Sequence, residues 1–204
     1  MTDELTILRL LTFKGRVSRE AIASSLDIDS PTVQAALDGF VAARLVASTP
    51  MGYRITPHGR ERCTELVAAE RQSIDASIVK EIYGTFTEHN GELKAIITDW
   101  QLRGSAEPND HSDGEYDRAV FERLLTLHQQ VLPLLDRIGT VAPRLGHYKS
   151  RLANAADAVA AGDHSFVSRP IVDSYHTLWF ELHEDLIGLA GLTRAAEAAA
   201  GRGA

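Results

Sequence analysis

Residues 45–63 read LVASTPMGYRITPHGRERC, and this stretch decides how the first third of the chain is read. LVAS (45–48) and YRI (53–55) are short β-favouring runs, and TPMG (49–52) between them carries a glycine suited to a tight turn. Together they predict a small β-hairpin. Thr56-Pro57 then places a hydroxyl cap before a proline at the first helical position, which predicts the start of a helix.

Three further helices are expected upstream. In DELTILRLLTF (3–13), Ile7, Leu8, Leu10 and Leu11 recur at helical spacing behind Thr2, a candidate cap followed by two acids. Gly15 ends this helix. Ser18 is placed to cap REAIASSL (19–26), with Ile22 and Leu26 facing inward. Ser30-Pro31 repeats the cap-and-proline start for a third helix, whose inward face is expected to hold Val33, Leu37, Phe40 and Val41.

Three helices, a hairpin and a returning helix within about 60 residues resemble the winged helix-turn-helix domain. GYRITPHGRERC (52–63) is similar to the joint between wing and following helix in MarR-like bacterial regulators. The resemblance implies a DNA-binding domain at 1–70, with the third helix set to read double-stranded DNA. Around that helix, Gln34 has the chemistry to pair with adenine, and Ala35 or Thr32 to meet a thymine methyl. Phosphate contacts are expected from Lys14, Arg16, Ser18, Arg19, Ser30 and Arg54. Asp38 on the same helix would repel phosphate, and no arginine on it is placed for guanine. A protein-binding role for this domain is therefore the competing reading.

Beyond residue 56 a helix is expected to run unbroken to about residue 89. Val67, Ile74, Ile78, Ile82 and Phe86 form its apolar stripe, either a core face or a dimer seam. Asn90-Gly91 reads as punctuation. Further helices are expected at about 91–104, 115–139, 142–161, 170–190 and 193–200, with a polar loop at 104–116 and no strand. The fold class expected is mainly α: a winged helix of three helices plus a small hairpin, followed by an all-α bundle at 71–204.

The densest chemistry in that bundle is DSYHTLWFELHEDL (173–186). His176 and His183 are seven apart and thus about 10.5 Å apart along a helix axis, too far to share one metal ion. Asp173 and His176, at i and i+3, are the only local pair able to supply two ligands, and a third would have to come from elsewhere, for example His128, His111 or Asp99. No metal, cofactor or catalytic residue is assigned, and no enzyme activity is expected. Two readings of the aromatic and histidine positions stay open. One is a core with hydrogen-bonded histidines and a solvated Glu181, Glu184 and Asp185. The other is a small-molecule pocket drawing on Trp100, Arg103, Asp173, His176, Trp179, Phe180 and His183, with NDHSD (109–113) as its lid.

The charge is divided along the chain. The first 60 residues carry seven Lys+Arg and six Asp+Glu, and the remaining 144 carry 14 and 22, so a net +1 precedes a net −8. The single cysteine, Cys63, precludes an internal disulfide and points to a reducing compartment. The first 16 residues have no basic n-region or small-residue cleavage site, and no run approaches the ~20 apolar residues of a membrane span. A cytoplasmic location without a membrane partner is expected.

A winged helix followed by an α-helical bundle is similar in layout to GntR-like regulators. That layout implies a homodimeric transcription regulator whose bundle dimerises and senses a small-molecule effector, altering half-site spacing. TDWQLR, NDHSDGEYD and DSYHTLWFELHEDL are also similar to a helical domain of winged-helix proteins linked to phosphoenolpyruvate-utilising enzymes. This second resemblance, over about residues 80–190, implies an accessory or protein-interaction module whose winged helix does not bind DNA.

Overall fold

Helix dominates the chain and the strands are short. The computed structural model describes residues 4–104, 107–170 and 172–201; Thr2, expected to cap the first helix, lies outside them. The chain divides into two units, Met1–Ile74 and Asp75–Ala204.

The first unit runs α1 (Glu4–Lys14), β1 (Arg16–Val17), α2 (Arg19–Leu26), α3 (Ser30–Ala42), β2 (Val46–Thr49), β3 (Gly52–Ile55) and α4 (Pro57–Gln72). The three strands form one antiparallel sheet in the order β1-β3-β2. Thr49 pairs with Gly52, leaving Pro50 and Met51 as the hairpin tip. The third strand, β1, is two residues long, too short for alternation to reveal it. It lies so close to the hairpin that a Cβ on Gly52 would sit 2.5 Å from the Val17 carbonyl oxygen, and Gly52 itself has φ +118°. Glycine is required there on both counts.

Five α1 side chains, Leu5, Ile7, Leu8, Leu10 and Leu11, are buried with Ile22, Leu26, Val33, Leu37, Val46, Ile55 and Cys63. Two expectations for α3 are corrected. Asp29, not Ser30, is the cap: its carboxylate accepts the Thr32 amide at 2.9 Å, so Ser30 is the first helical residue. Val41 is 37% exposed rather than inward. At 100° per residue it lies 80° round the helix from Val33, beyond the edge of the buried stripe.

The expected long helix also breaks. α4 ends at Gln72, and Asp75 caps a new helix, α5 (Ala76–Gln101), by accepting the Ser77 amide at 2.7 Å. Val67 thus packs on the core of the first unit, while Ile82 and Phe86 are buried in the second. α5 runs straight through Asn90-Gly91, because the buried Asn90 side chain accepts the Trp179 indole N–H at 3.0 Å. Tertiary packing has overridden a local turn signal.

After α5 come β4 (Leu102–Arg103), which takes the place of the last turn of the helix expected to about residue 104, and β5 (Glu107–Pro108) within the expected loop, a minimal antiparallel pair where no strand was expected. α6 (Gly114–Val141) is capped by Asp113 and continues past Pro133. A 3-10 turn (Pro143–Gly146) leads into α7 (His147–Ala160), then α8 (Ser165–Ser168), α9 (Tyr175–Ala190) and α10 (Arg194–Ala199). α9 starts five residues later than expected, where the Ser174 hydroxyl accepts the Thr177 amide. In this unit α5, α6, α7 and α9 pack against one another around Phe86, Leu124, Leu127, Leu152 and Trp179. No helix among the described residues is long and apolar enough to cross a membrane.

Gly59, in the first turn of α4, tests this packing. A Cβ there would lie 2.1 Å from the Leu45 carbonyl oxygen, whereas a Cβ on Gly39 in α3 meets nothing. Gly59→Ala should cost about 1–3 kcal/mol or more, and Gly39→Ala should stabilise by about 0.5–1 kcal/mol. Urea unfolding followed by far-ultraviolet circular dichroism measures both.

Candidate functional site

On the first unit, the register sets Arg16 directly opposite Arg54 across β1 and β3. Both are exposed. The Arg16 side chain reaches only the Met51 thioether, at 3.3 Å, and the Arg54 side chain forms no hydrogen bond or ion pair among the described residues. Two like charges facing one another across a ladder are unfavourable, and an anion set between them relieves the repulsion. Lys14 lies in the last turn of α1, and the Ser18 hydroxyl accepts the Ala21 amide at 3.1 Å as the cap of α2.

The residues expected to read bases are bound within the chain. Gln34 accepts from Arg19 at 3.3 Å, donates to Asp38 at 2.7 Å and reaches the Tyr53 hydroxyl at 3.3 Å. Thr32 donates to Asp29 at 2.6 Å, and Arg19 also pairs with Glu20 at 2.6 Å. Ser30 follows the capping Asp29. Tyr53 was not anticipated. It enters because the register carries β3 past Gln34, a long-range fact that no local pattern encodes.

In the second unit the expected pocket residues are dispersed. Asp173 lies before the start of α9, so it shares no helical face with His176. It accepts instead from Arg151, at 3.0 Å. Trp179 is 1% exposed and stacks on Phe86 with ring centroids 4.6 Å apart. His183 is buried between Tyr83 and Phe86. Phe180 carries the Arg194 guanidinium 4.5 Å above its ring, and Arg103 pairs with Asp113 at 2.5 Å. His176 is half-buried, and burial lowers its pKa.

Glu181 and Asp185 correct the expectation of a solvated face, since each is 1% exposed. Asp185 accepts from Arg144 at 3.0 Å and from the Tyr148 hydroxyl at 2.8 Å. Glu181 lies 2.9 Å from Arg151, which also holds Asp173. Burial opposes the charge on Arg151, but Glu181 and Asp173 outweigh it and raise its pKa. The sequence signal was faint: Arg144, Tyr148 and Arg151 recur at spacings of four and three, but nothing local marks that face as buried.

Trp100 lines a cleft together with His111, His164, Ser165, Ser168 and Arg169, residues of other elements. The cleft is open, with a volume of about 390 Å³. The Trp100 and His111 rings are 4.0 Å apart, and Phe121 contacts both Trp100 (5.1 Å) and His164 (4.1 Å). The His111 Nδ1 faces Asp117 Oδ2 at 3.1 Å, and Asn109 donates to the other oxygen of that buried carboxylate at 2.8 Å. His111 has φ +58°, a left-handed conformation that costs a non-glycine residue energy. The 109–113 loop, expected as a lid, thus contributes a wall. Among the described residues, no three His, Cys, Asp or Glu side chains converge as a metal site.

No protein-family model, curated protein or solved structure matches this chain.

Two histidines, the half-buried His147 and the fully buried His183, set a pH dependence. Burial lowers the pKa of His147 from 6.5 to about 4. It lowers that of His183 likewise to about 4, with Arg194 adding to the effect and Glu197 opposing it. With the Tyr83 proton donated to Glu197, the Nε2–H of His183 donates to Tyr83, so Nε2 carries the proton of the neutral ring. The unfolded chain takes up these protons below pH ~6.5 and the native state only near pH ~4, so stability is lost as pH falls through that window. His147→Gln, which keeps a donor for the Arg144 carbonyl, should reduce the slope there by up to about 1.4 kcal/mol per pH unit. Chemical denaturation at a series of pH values measures it.

Proposed function

We propose that this chain is a transcriptional regulator of the winged helix-turn-helix type, acting as a homodimer on double-stranded DNA. The reading is supported by the order α1-β1-α2-α3-β2-β3-α4 with a β1-β3-β2 sheet. It is carried by the Arg16–Arg54 pair. In this reading the hairpin is the wing, and the two guanidiniums clamp the phosphate backbone beside the groove that α3 enters. Gln34 exchanges its bonds to Arg19, Asp38 and Tyr53 for base contacts. Arg19, released from Gln34, adds a cation to the backbone contact.

One observation favours a second reading, in which the unit docks on a protein. Asp29 and Asp38 put negative charge at both ends of the α3 surface that would face DNA, with Thr32 and Gln34 tied to them. An interaction module would keep those bonds and use the arginines on an acidic partner.

Arg16→Glu with Arg54→Glu separates the two. Titration of random-sequence and upstream-region duplexes across a salt series should give binding by the native chain that weakens as salt rises. The double variant should lose most affinity, and its slope against log salt should be smaller by roughly 2, for two phosphate contacts at about 0.9 each. Absence of duplex binding at low salt would favour the protein-docking reading.

A further inference from the structure

The cleft between Trp100 and Arg169 has two chemically distinct parts. One is a set of rings: Trp100 and His111 with centroids 4.0 Å apart, His164 edge-on to Trp100 at 6.0 Å, and Phe121 beneath. Trp100 and Phe121 are half-buried while His111 and His164 are exposed, and rings so placed along a cleft offer a platform for another flat, apolar body. The other part is polar. Arg169 is exposed and forms no ion pair among the described residues, and the hydroxyl of Ser168 beside it has no hydrogen-bond partner among them.

The nearby acids form no ion pair with Arg169 among the described residues. Asp117 is engaged by His111 and Asn109, and Asp163 accepts from both the amide and the hydroxyl of Ser165, at 3.1 and 2.6 Å. The His111–Asp117 contact commits Nδ1 and leaves Nε2 as the uncommitted ring nitrogen. The buried carboxylate also holds the ring against Trp100 despite the strained backbone beneath it, which makes the platform rigid before any ligand arrives.

We propose that this cleft is a binding site for an aromatic carboxylate of about two fused rings, stacked on Trp100 and His111, its anionic end held by Arg169 and Ser168. A volume of about 390 Å³ lies near the lower end of ligand-sized clefts, which suits a bicyclic body better than a dinucleotide. Guanidinium matches carboxylate through paired, charge-assisted hydrogen bonds, and that match sets the preference for an acid over its neutral analogue. The site lies wholly within the second unit and stands whether or not the first unit binds DNA.

Isothermal titration of the full chain with 2-naphthoate, in the absence of DNA, tests it, with Trp100 and Trp179 fluorescence read in parallel. The native chain should bind one equivalent saturably and change its tryptophan emission, because Trp100 lies in the cleft. 2-Naphthamide should bind at least tenfold more weakly. Arg169→Gln, at an exposed position, should weaken naphthoate by about tenfold or more while leaving naphthamide unchanged. Three results would each overturn the proposal: no heat and no emission change up to millimolar naphthoate, equal affinity for acid and amide, or unaltered naphthoate binding by Arg169→Gln. None depends on DNA binding, so failure here is distinct from failure of the regulator reading.

Discussion

Helix α9 carries two carboxylates, Glu181 and Asp185, into the interior of the second unit, and each requires a cation there. An isolated buried carboxylate is too costly to keep ionised, so these two dictate what packs beside them. Arg144 from the 3-10 turn and Arg151 from α7 meet them, and Tyr148 between the arginines donates to Asp185. These pairs tie α9 to α7 and to the 3-10 turn, and a slip of α9 by one residue would strand a buried ion. α8 packs against both of these helices and supplies Ser165 and Ser168, with His164 and Arg169 flanking it, to the cleft. The other wall, Trp100 and His111, is held through Asp117 on α6. The cleft is therefore the product of two buried carboxylate systems.

The first unit is organised by close backbone approach. Gly52 admits β1 beside the hairpin, and Gly59 admits the Leu45 carbonyl beside α4. Those contacts bring Arg16 and Arg54 into register, a pairing with an electrostatic cost. The regulator reading assigns that cost a use: an exposed, repelling pair of guanidiniums favours an anion that spans them, and the DNA backbone is such an anion. The bonds among Arg19, Gln34, Asp38 and Tyr53 would then make an ordered resting arrangement of the α3 surface, exchanged on binding.

Much of the helical layout was legible in the sequence, because capping residues and apolar spacing act locally. Thr56, ahead of Pro57, and Ser18 both cap helices as their chemistry suggests. Errors arose where a distant partner decides. Asn90-Gly91 has turn chemistry, but Trp179 binds Asn90 and the helix continues. Glu181 and Asp185 look solvated until Arg144 and Arg151 are placed beside them. The candidate cleft was half legible: Trp100 and the 109–113 loop drew notice for their composition. Phe121, His164 and Arg169 did not, since they meet Trp100 only through helix packing. Trp179 and His183 drew notice for the same compositional reason and proved to be core.

The regulator reading is tested most directly by selecting sequences that the full chain retains from a pool of random duplexes, then footprinting the enriched duplex. A dimer of winged helices should enrich a two-fold-related motif and protect two half-sites about one helical turn apart, with Arg16 and Arg54 contacting the flanking backbone. Recovery of a pool indistinguishable from its input, with no protected positions, would contradict the account and leave the arginine pair to an acidic protein partner.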